Sequence, residues 1–493
     1  MFFGKDEEGT NMTSNRIKYY FNVAICLALT FGFGYLPPIG GMTALGMKAV
    51  GIFFGVLWGW IFIDLGWPSL LGIFAVGMTG YMTVAQSFAT AFSDSQTLQM
   101  ILVLALVAYL EESGCSTYLA RWFVSRKIGV GRPWIFSLLI LSCGFVASMF
   151  TFGTAAIILT WAIFTEICHT LQMTKEDAWT RIILFGVVVA ALSGAICLPY
   201  QVMSVVFIGG VESSAGITVD TAAFSLFRIL TGYGLVVLYM LAARFIFNPD
   251  VSKLMTGKDL FEEMRNQKMN HSEKTGLIVF ILFLAMMILP NNFPASWPLI
   301  APLKSLGLVG IVLLLVIILS ILHVTQNGED KSIVDFTTLM RKINWTIVML
   351  LGGVAPMSAL LESEEAGIFT MVTNMITPMA ESMGSLMFML VLSLVLGILT
   401  QLTHNLVLAR IAIPLVVPIG IAIGIDPMLM MMSVCLPTQF AVLTPGASAN
   451  AALVWGNTTW TNTKSVAKLA FLAFVLMMLY NTIVILPLAQ IIF

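Results

Sequence analysis

The chain has 493 residues, 59% of them hydrophobic and only 10% charged, with a net charge of −1. Soluble domains carry roughly 25% charged residues, so the composition is that of an integral membrane protein. The near-zero charge excludes the basic footprint of a nucleic-acid binder and a polybasic lipid-binding cluster.

Residues 1–18, MFFGKDEEGTNMTSNRIK, lack the short apolar core and small-residue cleavage site of a signal peptide and are expected to form a cytoplasmic segment. A spanning helix needs about 20 mostly apolar residues. Such stretches follow at 19–36, 45–66, 68–83 and 97–111. The apolar block 134–170 is too long for one span and is polar near its middle, which predicts a re-entrant hairpin. A helix over 180–209, broken within ALSGAICLPYQ, and a span over 224–247 complete a first half, 19–247.

The polar segment 248–274 has balanced charge and is expected to be a solvated cytoplasmic linker. The second half, 275–493, offers spans at 275–290, 305–323 and 344–360, a second hairpin over 385–425, a broken helix over 428–457 and a last span over 465–491. The expected fold class is therefore an all-α polytopic membrane protein with about eleven transmembrane helices and two re-entrant hairpins.

Charge asymmetry supports this order, because Lys and Arg of short loops gather on the cytoplasmic side. With the N-terminus inside and the C-terminus outside, one face holds Arg121, Arg126, Lys127, Arg132, Lys175, Arg181, Lys253 to Lys274, Lys331, Arg341, Lys342, Lys464 and Lys468. The other holds Asp94, Glu212, Asp220, Glu362, Glu364, Glu365, Glu381 and Asp426, with Lys48 and Lys304 the nearby lysines.

The halves also repeat. YLEESGCSTYLARW (109–122) answers to LLESEEAGIFTMV (360–372), with Glu111 against Glu362 at an offset of 251, and the same offset lays FGT (152–154) over THN (403–405). Five spans separate the hairpins, an odd number, so the two would enter from opposite faces as an inverted repeat. Hairpins and broken helices in corresponding positions of inverted halves point to a transporter's midplane site, because unwound backbone there can ligate ions and anions.

The polar residues at these elements are the candidate ligands. At the second tip Thr403 is followed by His404 and Asn405; Asn405 offers an amide to a carboxylate and a carbonyl to a cation, and His404 a donor. In LTPGASAN (443–450) Pro445 and Gly446 break the helix beside Thr444, Ser448 and Asn450. Gly153 and Thr154 occupy the first tip, and Ser193, Gly194, Pro199, Tyr200 and Gln201 the first break. Ser148, Thr154, Thr400 and Asn405 are candidate ion-coupling ligands. Arg410, five or six residues beyond the second tip, either snorkels, pairs with an acid or compensates substrate charge.

These segments, with LPPIGGMTALGMKAVGIFFGVLWGW (36–60), resemble the divalent anion/sodium symporter (DASS) family of the ion transporter superfamily over nearly the whole chain. The resemblance implies binding of a carboxylate or sulfate, and in symporters sodium, by Ser-Asn-Thr tips and Thr-Pro-rich breaks. It also implies a homodimer whose transport domain slides as an elevator. Here the second tip reads His404-Asn405-Leu406, with Thr400-Gln401 where Thr-Glu is common, and the first keeps only Thr154, with Gly153 or Phe152 in the Ser position. Lost side-chain oxygens beside a new His404 and Arg410 point away from sodium coupling, toward anion exchange or proton coupling. A sodium-coupled carboxylate or sulfate symporter is the alternative.

No HExxH, GxSxG, P-loop or GxGxxG motif is present, and the four histidines are scattered, so an enzyme is not expected and neither is a passive channel. A sodium/proton antiporter should show a midplane carboxylate, whereas Glu111, Glu362 and Asp64 fall near span ends. Cys26, Cys115, Cys143, Cys168, Cys197 and Cys435 have no CxxC spacing, which predicts no disulfide, no metal site and no cofactor. The expected partners are a small anion and membrane lipid.

Overall fold

A computed structural model describes residues 6–255, 268–292, 296–298, 300–326, 329–445 and 447–493. The middle of the expected linker, 256–267, and the helix-breaking Gly446 lie outside them. The described chain is helical apart from a short antiparallel ribbon, His323–Gln326 against Glu329–Ser332. Eight described helices are long and apolar enough to cross a membrane, or ten if Val84–Ser93 with Thr97–Ser113, and Ile300–Gly307 with Val309–Ile321, are each one bent span. Neither broken helix enters that count, because each of its halves is too short. The second bend falls at Gly307, whose φ of +59° suits a residue without Cβ.

Two compact units emerge, residues 1–98 with 344–385, and residues 99–343 with 386–493. The division does not fall at the 248–274 linker; each unit draws on both sequence halves.

In the first unit, Asp6–Gly32, Ala44–Phe62 and Gly66–Gly77 pack in succession, and Trp345–Glu362 lies against the third. Small residues allow the last contact: a Cβ on Gly353 would come within 2.8 Å of the Ser69 side chain, the kind of close backbone approach on which helices in lipid depend. Thr43 caps its helix by accepting from the Gly46 N–H and donates to the Glu365 carbonyl at 2.6 Å, joining segments 322 residues apart.

In the second unit, Ala178–Gly194 is buried along nearly its whole length, between Pro133–Phe150 and Thr221–Phe247. Pro427–Gln439 is buried from Met428 to Gln439. Outward positions remain apolar, Leu226 and Leu230 being 62% and 65% exposed. An apolar exterior around a core that holds polar residues is what a lipid solvent selects, and the chain is a multi-pass membrane protein.

Candidate functional site

The expected site elements all lie in the second unit. The first hairpin has arms Pro133–Phe150 and Gly153–Thr170, joined through Thr151 and Phe152 alone. Pro133 opens its first arm at a position where the missing N–H costs nothing. The second has arms Ser385–Leu399 and Asn405–Ala422, joined by the longer turn 400–404. By cap position Phe152 therefore answers to His404 and Gly153 to Asn405, one residue beyond the register read from the sequence, because the second turn holds extra residues.

The first broken helix runs Ala178–Gly194, then 195–201 unwound, then Val202–Ala215. The second runs Pro427–Gln439, then 440–445 and 447–448 outside any helix, then Ala449–Gly456. Each break is fastened to the hairpin of its own half. In the first, Gln201 Nε2 donates to the Ser148 and Met149 carbonyls at 3.0 and 2.8 Å, and the Tyr200 hydroxyl donates to Met149 as well. Gly194 permits this approach, since a Cβ there would strike Ser148 Oγ and the Phe145 carbonyl.

In the second half the amide sits on the hairpin. Gln401 Nε2 donates to the Gly397 and Phe440 carbonyls at 2.9 and 2.8 Å, and its Oε1 accepts from the Val442 and Leu443 N–H groups at 2.9 and 2.8 Å. One buried carboxamide thus satisfies three backbone groups of the break and one carbonyl at the end of the hairpin arm, all without helical partners. Thr400 Oγ1 donates to the Thr438 carbonyl at 2.7 Å, and Thr444 Oγ1 to the Gln401 carbonyl at 3.0 Å.

Two further links join the halves. Thr154 Oγ1 at the first tip donates to Asn450 Oδ1 at the second break, 2.9 Å away across 296 residues of sequence. Asn405 Nδ2 at the second tip lies 3.5 Å from Gln439 Oε1, while Gln439 Nε2 donates to the Leu192 carbonyl in the first broken helix at 3.3 Å. The first tip is thereby tied to the second break, and the second tip to both broken helices.

Among the residues expected from the sequence, Gly153, Thr154 and Asn450 converge: a Cβ at Gly153 would meet Asn450 Nδ2 at 3.4 Å. Thr444 and Pro445 are exposed at the break. Ser448 serves as a cap, accepting from the Ala451 N–H and donating to the Ala441 carbonyl. Thr403 donates to the Leu399 carbonyl, and His404 Nδ1 accepts from the Leu406 N–H at 3.3 Å, which leaves Nε2 to carry the ring proton.

Asn405 Oδ1 accepts from that same N–H at 2.9 Å. Ser148 Oγ donates to the Phe145 carbonyl, and with Thr400 it is fully buried. Pro199 is buried within the first break, and Arg410 is buried in the returning arm of the second hairpin.

Sequence reasoning passed over Gln401 and Gln439 as site members. The signal was present in both, an amide inside an apolar run where only an internal hydrogen bond makes it tolerable.

The uncommitted chemistry suits an anion. The Thr154 and Thr444 hydroxyls give their protons to Asn450 Oδ1 and the Gln401 carbonyl, which leaves the Asn450 Nδ2 amide beside Gly153 as the free donor, and no cluster of His, Cys, Asp or Glu among the described residues would hold a metal ion. An amide of this kind binds a carboxylate by donation, without a fixed opposite charge.

No curated protein matches the sequence. Among solved structures, the crystal structure of the Alcanivorax borkumensis YdaH transporter is similar in fold, with a TM-score of 0.56 over 82% of this chain and 88% of that one at 14% identity. The family model described as citrate transporter, CitMHS, matches residues 53–435. That span takes in both hairpins and the first broken helix, and it agrees with the anion-permease resemblance carried by the tips and breaks: the chain belongs to the citrate transporter family, and it is a transporter, not an enzyme.

Proposed function

We propose that the chain carries small di- or tricarboxylates of the citrate type across the cytoplasmic membrane as a secondary active transporter, the bound anion lying between the two tips and the two breaks. The observation that carries this reading is the pair of links, Thr154 to Asn450 and Asn405 to Gln439 to Leu192, that ties both tips to the broken helices across the two halves. All four elements belong to one compact unit, which supports an elevator in which that unit moves as a body with its cargo. The re-entrant entry of the hairpins and a homodimeric assembly belong to the same proposal.

Exchange or proton coupling fits the tips better than sodium coupling. Sodium requires several oxygens converging on it, whereas Gln401 Oε1 already accepts from the Val442 and Leu443 N–H groups and Asn405 Oδ1 from the Leu406 N–H. Sodium-coupled symport is the second reading, in which unwound backbone carbonyls of the breaks would supply the oxygens.

The test is uptake of radiolabelled citrate into proteoliposomes under an inward sodium gradient, an inward proton gradient, or internal unlabelled citrate. Stimulation by internal citrate or by protons is expected; stimulation by sodium alone would overturn the coupling. Thr154→Val should raise KM about fivefold, the loss of roughly 1 kcal/mol that one neutral hydrogen bond contributes. An unchanged KM would remove the first tip from the site.

A further inference from the structure

Arg228 lies on the helix Thr221–Phe247 and has no exposure to solvent. None of its three guanidinium nitrogens has a hydrogen-bond partner among the described residues, and no described carboxylate pairs with it. Its charge acts on the Cys197 thiol in the first break, the Cys435 thiol in the second broken helix and the Tyr480 hydroxyl. Its own carbonyl accepts from Cys197 Sγ at 3.3 Å, which fixes the helix against the break. One turn on, Gly232 lets the same helix face close on the Ser193 carbonyl and Cys197 Sγ, where a Cβ would come within 3.2 and 3.3 Å.

A guanidinium cannot shed its proton in a protein. Buried without a partner, it costs several kcal/mol, and an intramembrane charge of this kind marks a substrate or ion pathway. Cys197, Cys435 and Tyr480 supply only neutral groups, and no carboxylate among the described residues supplies a counter-charge, so an anion from outside the chain fits here. The planar fork of donors matches a carboxylate in bidentate fashion and also accepts a halide.

We propose that Arg228 is the anchor of a buried anion site between the first break, the second broken helix and the end of helix Thr463–Tyr480, taking a carboxylate of the cargo or a chloride ion. The site supplies the fixed positive charge that the amide-lined tips lack, and it places that charge where both halves meet. Only the choice of citrate as a probe rests on the function proposed above.

Thermal unfolding of the purified full-length chain in detergent, followed by tryptophan fluorescence, tests it with choline citrate, choline chloride and choline methanesulfonate at matched ionic strength, which keeps sodium out. Wild type should be stabilised saturably by citrate, by chloride or by both, and which of them acts identifies the source of the anion. Arg228→Met should weaken the apparent affinity about tenfold or more, the loss expected of charged hydrogen bonds. Arg228→Lys should lose less.

No saturable stabilisation of wild type by either anion, or the same affinity in Arg228→Met, overturns the site. If Arg228→Met fails to give monodisperse protein, Arg228→Lys decides, since an unchanged affinity without the fork also overturns it. Anion-dependent stabilisation in a protein that moves no citrate would leave this site standing and refute the transport reading instead.

Discussion

At the scale of single residues, the carboxamides hold the site together. Gln401 satisfies two carbonyls and two N–H groups beside the second break, and each buried group left unpaired costs about 1–3 kcal/mol. Because the break is open to solvent at Thr444 and Pro445, water replaces part of this, and Gln401→Ala should lower stability by about 2–4 kcal/mol, read as a lower thermal midpoint of the detergent-solubilised protein. A midpoint unchanged from wild type would mean that the unwound backbone is satisfied some other way. The sequence already placed Thr154, Asn405 and Asn450 at turns. It could not pair Thr154 with Asn450, because a hydrogen bond across 296 residues depends on how hairpin and break dock, and local pattern carries no trace of docking.

At the scale of elements, clusters of Gly, Pro and small polar residues marked the breaks within 180–209 and 428–457, whereas a lone glycine in an apolar run marked nothing. The block expected at 134–170 appears as arms spanning Pro133 to Thr170, because a proline start and a polar turn bound it locally. The bend at Gly307 went unread, since one glycine inside an apolar run signals a kink no more than it signals close packing. Gly194 is of the packing kind. Gly194→Ala would push a methyl into Ser148 Oγ and the Phe145 carbonyl, and overpacking of this sort costs about 1–3 kcal/mol. Reduced yield of monodisperse protein, with the residual fraction slower in citrate uptake, is the expected result, and wild-type yield and rate would show that the hairpin can retreat.

The loops between helices carry their own prediction. Slight burial would raise the Asp177 carboxyl, but the Thr174 N–H at 2.7 Å and the Lys253 ammonium at 3.0 Å outweigh it and hold it below the usual carboxylate range. A carboxyl with a depressed folded pKa adds stability above its ordinary pKa, and that stability is lost as pH falls through the folded value. Thermal midpoints measured from about pH 6 down to about pH 3 should therefore fall less steeply in Asp177→Asn than in wild type below about pH 4. Parallel curves would show that the Lys253 contact contributes nothing on this exposed surface, as many such pairs do.

At the scale of the whole molecule, hydropathy and charge asymmetry gave the multi-pass architecture and the repeated order of hairpin and broken helix. They did not give the partition into units, which mixes the two sequence halves because helices associate by packing and not by adjacency in the chain. What remains to be fixed is which elements cross the membrane. Lys175 and Thr218 are both exposed and flank the first broken helix, Lys175 before Ala178–Gly194 and Thr218 after Val202–Ala215. The lysine distribution would put Lys175 on the cytoplasmic face, and a broken helix that spans would put Thr218 on the other. All six native cysteines are buried, so a membrane-impermeant maleimide should meet little background. In right-side-out vesicles Thr218→Cys should label and Lys175→Cys should not, with the pattern reversed in inside-out vesicles. Labelling of both from one face would make the broken helix a third re-entrant element, and the two hairpins would then enter from the same side, which removes the inversion on which alternating access by an elevator depends.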